Sequence, residues 1–220
     1  VSQWLQSATA TLLCVDSPLG WPYRMAPILS GHVAGTGMRA NADELFRRFT
    51  DLDVRRRVGK TPLDVGADRI ARTALATLDA IDAVRGSVAR TIDLVIDIQD
   101  PRKDPSTVLL LESYPAGWFA SEDIGTRGYR PPAGRSQRED LLRQVEHRLQ
   151  ATGLPMKHAV ERSSLVQRAD DLDALVCTLS GIDYLLGRCP AAGSDVREIA
   201  HTEGWIWCKD QRRFNGRGGV

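Results

Sequence analysis

The sequence predicts an α/β fold in which a buried sheet is flanked by amphipathic helices. Two apolar runs carry that expectation. Residues 11–15 (TLLCV) and 107–111 (TVLLL) are unbroken by charge, as strands buried on both faces of a parallel or mixed sheet are. The third observation is what ends them. An acid, Asp16 or Glu112, closes each run, and Pro18 or Pro115 follows within a few residues. In open α/β sheets ligands gather outside the carboxyl ends of the strands, so acids delivered there are site candidates. For Asp16 an Asx-turn before proline is the plainer alternative.

The chain opens at Val1 on VSQWL, which reads as the tail of a helix whose start lies upstream. The glycines of SGHVAGTG, residues 30–37, match no phosphate-binding loop, because neither G-x-G-x-x-G spacing nor a following Gly-Lys-Ser/Thr is present. Asn41 with Glu44 predicts a capping box that opens a helix. Arg47, Arg48, Arg55, Arg56, Arg57 and Lys60 form the strongly positive cluster of the sequence. A solvated face explains such a cluster; phosphate contact is the functional alternative, since guanidinium forks match phosphate oxygens.

After Thr61-Pro62, a helix over 66–78 aligns Ile70, Ala71, Ala74, Leu75 and Leu78 on one stripe. Residues 92–98 alternate partly, as a strand does. Leu141, Leu142, Val145 and Leu149 mark an amphipathic helix over 138–149, ended by Gly153-Leu154-Pro155. A final long helix spans 170–187, burying Leu172, Leu175, Val176, Leu179 and Leu186. Residues 203–208 (EGWIWC) fold back as a short strand, with the tryptophans in the core. The expected organisation is one domain over 1–210 with a helical insertion around 23–90, then a disordered tail over 211–220.

Bulk properties narrow the function. Hydrophobic residues make up 42% and charged residues 26%, and the formal net charge is +1. That is globular composition with no global basic field, so any nucleic-acid contact has to be local. Cys14, Cys177, Cys189 and Cys208 show no C-x-x-C pair and no histidine at ligand spacing, which argues against zinc. They read as reduced thiols of a cytoplasmic protein. No run approaches the roughly 20 apolar residues of a membrane span, so no membrane partner is expected.

The stretch Asp170-Asp171-Leu172-Asp173 opens the last long helix with acids. Asp170 and Asp173 share one face, about 5–6 Å apart at Cβ, close enough to approach one divalent cation. Capping and the helix dipole account for acids there as well. If Asp16, Glu112 and Asp173 converge with no Lys or Arg to neutralise them, Mg²⁺ or Mn²⁺ resolves their repulsion. Two such ions about 3.5–4 Å apart clamp a phosphodiester for in-line attack by water.

Four motifs occur in order: VDSPLGWP from Val15, ESYPA from Glu112, DALV from Asp173 and EGWIW from Glu203. Together they resemble the family of predicted RNase H-like nucleases known as domain of unknown function 429. The helix from Asp170 is also similar to the closing acidic helix of Holliday-junction resolvases. The resemblance implies an RNase H-like mixed sheet flanked by helices, and a metal-dependent nuclease acting on DNA or RNA. By position it makes Asp16, Glu112 and Asp173 catalytic, and Asp16, Asp170 and Asp173 the metal ligands. Arg39, Lys60 and Arg69 are assigned to substrate. RNase H-like enzymes begin with three antiparallel strands, the first carrying a metal-binding Asp, and that hairpin has no counterpart here. Either upstream sequence supplies it, or the protein is a catalytically inactive module that binds nucleic acid or a protein partner. A homodimer is compatible with both.

Overall fold

The computed structural model describes residues 2–8, 10–38, 40–66, 68–153 and 161–210. Three strands form its sheet: β1 (Thr11–Val15), β2 (Thr91–Leu94) and β3 (Thr107–Glu112), in the order β1-β3-β2. Both pairings are parallel, with Val15 opposite Glu112 and Leu94 opposite Leu110. The expected mixed sheet is therefore wholly parallel among the described residues. All of β3 is buried, which is why a central strand covered on both faces shows no alternation. β2 stops at Leu94, short of the expected residue 98, although the Val95 amide still donates to the Leu110 carbonyl at 2.8 Å.

Each face of the sheet meets its own helices. Val108, Leu110 and Ile92 pack with Leu5 of α1 (Ser2–Ser7) and Ile81 of α5 (Asp68–Arg85). Leu109 and Leu111 pack on the other face with Trp205, Trp207 and Tyr184, the last from α9 (Ala169–Leu185). Helix α9 approaches β1 closely because Gly181 has no side chain; a Cβ there would stand 2.6 Å from Cys14 Sγ. The opposite side of α9 joins α6 (Pro115–Ser121), α7 (Arg135–Ala151) and α8 (Arg162–Gln167) in a cluster around Leu142, Val145, Leu172 and Val176. A helix buried on both sides explains the dense apolar run LVCTLSGI that a single stripe does not.

Helices α2 (Met25–Ser30), α3 (Ala42–Phe46) and α4 (Phe49–Val58) precede α5 between β1 and β2. The capping box opens α3 as the sequence predicts: Asn41 Oδ1 accepts from the Glu44 amide at 2.9 Å, and Glu44 from the Asn41 amide at 3.1 Å. Helix α5 runs on past residue 78 to Arg85. The basic cluster divides. Arg48 and Arg57 are buried, whereas Arg55, Arg56 and Lys60 are exposed. Residues 203–208 give one parallel bridge, Ile206 with Glu112, in place of the expected strand. Helix α10 (Arg197–Glu203) precedes them, and both tryptophans are buried as expected. The predicted tail 211–220, the Leu154-Pro155 stop and Arg39 lie outside the described residues.

The turn after α10 depends on Gly204. Its φ is +81°, and a Cβ there would lie 2.7 Å from Glu112 Oε2 and 3.4 Å from Arg48 Nη1. Gly204→Ala therefore combines left-handed strain with intrusion on a buried ion pair. We expect a loss of about 2 kcal/mol or more. Gly31, at φ −98° with nothing near its Cβ position, should tolerate alanine within about 0.5 kcal/mol. Urea denaturation of both variants measures the contrast, and equal stability would contradict this account.

Candidate functional site

Asp16 follows the last residue of β1, at the carboxyl edge of the sheet. It lines a cleft of roughly 860 Å³ together with Lys60, Tyr114, Tyr129, Arg130 and Asp170. Although the residue is exposed, partial burial of its carboxyl raises the pKa from 3.8 to about 6, and the charges of Asp173, Glu112 and Asp170 add to the rise. Arg130 pulls the other way. Among the described residues Asp16 has no hydrogen bond or ion pair of its own. A carboxyl that titrates near neutrality in a cleft is the kind of group that functional sites contain.

Asp173 is different. It sits in the second turn of α9 with its side chain 5% exposed. Tyr129 Oη donates to Oδ1 at 2.8 Å, and Arg130 Nη2 stands 3.0 Å from Oδ2. Burial still raises its pKa against the pull of Arg130 and Tyr129, with Asp170 adding to the rise. The loop that carries Tyr129 and Arg130 is held by a buried guanidinium. Arg138 donates to the carbonyls of Tyr129 at 2.6 Å, Pro131 at 2.9 Å and Val166 at 2.6 Å. Asp170 is exposed in the first turn and does not cap the helix; the N-cap position belongs to Arg168.

Glu112 is drawn into the structure. Arg48 Nη1 and Nη2 donate to its two oxygens at 2.9 and 2.7 Å, and the Leu19 amide reaches Oε2 at 3.1 Å. The sequence expectation of converging acids without a basic partner is thus corrected: Arg48 takes Glu112, and Arg130 takes Asp173. Neither arginine had been assigned to the site, because each is distant in sequence from its acid. Of the residues assigned to substrate, Lys60 lines the cleft and Arg69 is exposed in the first turn of α5.

The donor chemistry suits a hard cation. Asp16, Asp170 and Asp173 offer only carboxylate oxygens; the charges of Asp173 and Asp170 raise the pKa of Asp16, and that of Asp170 raises the pKa of Asp173. Among the described residues no set of three acidic, His or Cys side chains is close enough to ligate one ion. Mg²⁺ commonly takes one or two carboxylates and completes its shell with water and phosphate. Asp16 offers one such carboxylate at the cleft, whereas both oxygens of Asp173 already face Tyr129 Oη and Arg130 Nη2, so Asp173 would become a ligand only by exchanging Arg130 for the cation.

Residues 1–198 match the sequence family described as Protein of unknown function (DUF429). The chain belongs to that family. No curated protein and no solved structure matches it. The DUF429 match includes Asp16, Glu112, Arg130, Asp170 and Asp173, and stops before the Gly204 turn. No described helix is long and apolar enough to cross a membrane.

The raised pKa of Asp16 has a signed consequence. The folded state holds the proton more tightly than the unfolded chain, so Asp16 contributes most below pH 4, and that contribution is lost as pH rises through about 6. Discounted for solvent exposure, the effect is about 1 kcal/mol, or about 2–4 °C for a chain of this size. Asp16→Asn should therefore melt above the parent at neutral pH by about that amount, with the gap closing in acid. A variant that melts at or below the parent across the whole pH range would refute the assignment.

Proposed function

We propose that this protein is a divalent-metal-dependent nuclease that hydrolyses phosphodiester bonds of DNA or RNA, built on an RNase H-like sheet. The observation that supports it most is Asp16, an unpaired acid of raised pKa at the carboxyl edge of β1, beside Asp173 and Asp170. Repulsion among these carboxylates is a standing cost that a cation relieves. When bound, Mg²⁺ or Mn²⁺ supplies an activated water and neutralises charge on the phosphate. Asp16 and Asp173 would hold it, and Asp170 would add an exposed carboxylate one turn away. Tyr129 fixes the orientation of Asp173 through its hydroxyl. Lys60 and Arg69 meet the phosphates of the strand. In the reaction, an oxygen of water bonds to phosphorus, the phosphorus–oxygen bond to the leaving sugar breaks, and that sugar oxygen takes up a proton.

A second reading has one observation in its favour. The oxygens of Asp173 and Glu112 already have protein donors, as they would in an inactive module that binds nucleic acid or a protein partner.

Cleavage of labelled oligonucleotides separates the two. The nuclease reading expects Mg²⁺- or Mn²⁺-dependent cleavage that chelation abolishes. Asp16→Asn and Asp173→Asn should each lower turnover by about a hundredfold or more. Lys60→Ala should raise KM several-fold with little change in kcat. Undiminished turnover in both Asp variants would overturn the nuclease; oligonucleotide binding without cleavage under any divalent metal would favour the silent module.

A further inference from the structure

Arg130 combines a rigid base with a loosely held tip. Its side chain is 58% exposed, while the Asp173 carboxylate it pairs with is 5% exposed. A pair so open to solvent contributes little to stability. The backbone beneath has no such freedom. Arg138 donates to the carbonyls of Tyr129 and Pro131, the neighbours of Arg130 on either side, at 2.6 and 2.9 Å. Gly134 lets the same loop close on itself, since a Cβ there would meet the Gly128 carbonyl at 2.2 Å. The guanidinium lies 5.4 Å over the Tyr129 ring and faces the cleft that also holds Asp16 and Lys60. Its Coulombic attraction reaches Asp16 as well as Asp173.

A guanidinium in this position occupies the electrostatic place of a cation. It also carries the planar fork that matches phosphate oxygens in pairs. We propose, resting on the nuclease reading above, that Arg130 is the phosphate ligand of this cleft, parked on Asp173 until a divalent cation takes that carboxylate. Arg130 and the cation compete for Asp173 Oδ2, so cation binding turns the fork towards the phosphate of the nucleic acid. Tyr129 serves both arrangements: its hydroxyl holds the Asp173 carboxylate at 2.8 Å, and its ring supports the guanidinium on either side of the swing. The substrate phosphate is thereby gripped only when the cation is in place.

The test measures two affinities on the full chain, with Lys60→Ala as the charge-matched control for the Mg²⁺ titration alone. Lys60 lines the same cleft and is bonded to none of its acids. Calorimetric titration of Mg²⁺ into the protein alone should show Arg130→Ala binding about fivefold more tightly than the parent, and Lys60→Ala within about twofold of it. In Mg²⁺, phosphorothioate oligonucleotides that resist cleavage should bind Arg130→Ala about tenfold more weakly by fluorescence anisotropy. Arg130→Lys, which keeps the charge and loses the fork, should show an intermediate loss. Circular dichroism should show Arg130→Ala folded at the assay temperature, so that the affinity changes are not loss of fold. If the parent binds Mg²⁺ and Arg130→Ala binds it no more tightly, or if oligonucleotide affinity is unaffected, this role for Arg130 is overturned and the nuclease reading stands. If neither parent nor variant binds Mg²⁺, both fall together.

Discussion

The buried guanidinium of Arg48 is the constraint on which the rest of the molecule depends. It is 1% exposed and binds Asp51 within α4, Glu112 at the end of β3 and the Glu203 carbonyl at the end of α10. Burial lowers its pKa, but the charges and hydrogen bonds of Glu112 and Asp51 together outweigh that and raise it. A buried ion of this kind is tolerable only when its donors are satisfied, and taking away one partner costs about 3–5 kcal/mol. Three segments that are remote in sequence are thereby held in one place. The same knot reaches the site. Glu112 accepts from the Leu19 amide, and Gly20 lies so close to the Thr202 carbonyl that a Cβ would stand 2.2 Å from it. The turn that begins at Asp16 is therefore anchored three residues beyond the acid it presents.

Arg138 performs the corresponding service on the other wall by different means. Among the described residues it has no carboxylate partner and is satisfied by carbonyl oxygens, including those of Pro132 and Gln167 at 3.2 Å. Those carbonyls belong to the 129–132 loop and to the residues that lead into α9. One buried arginine thus sets the Asp16 turn, and another sets Tyr129 and Arg130 against Asp173. Between two fixed walls, the groups that face solvent are the ones with chemistry: Asp16, Asp170, Arg130 and Lys60. Fixed supports and free tips let a site hold its geometry before a ligand arrives.

How much of this the sequence disclosed follows from the range of the interactions. β3, the capping box of α3 and the long helices α7 and α9 rest on local signals, namely an apolar run, a three-residue spacing and helical periodicity. They were legible within a residue or a few at their ends. Asp16 at a strand end was legible for the same reason. The short helices α6, α8 and α10 carry too few turns to show a period. Among Arg47, Arg48, Arg55, Arg56 and Arg57, nothing local says which turn inward. Arg48 does so because Glu112, 64 positions away, waits at the end of β3. Arg130 and Asp173 meet by the same long-range closure. Parallel pairing throughout the described sheet likewise depends on crossovers that no local pattern encodes.

These closures also explain why one acid stands apart. Arg48 and Arg130 both lie near the carboxyl edge, yet Arg48 is committed to Glu112 and Asp51, and Arg130 pairs with Asp173. Asp16 feels the negative charge of Asp173, Glu112 and Asp170 and is given no partner of its own. Structural need does not call for that arrangement, since an asparagine would keep the turn without the repulsion. A fold that neutralises the buried acids around it and leaves this one unsatisfied keeps a site in which added positive charge is favourable. The cost falls on folding, and the return under the nuclease proposal would be an edge of the sheet prepared for a cation and for the phosphate it attracts.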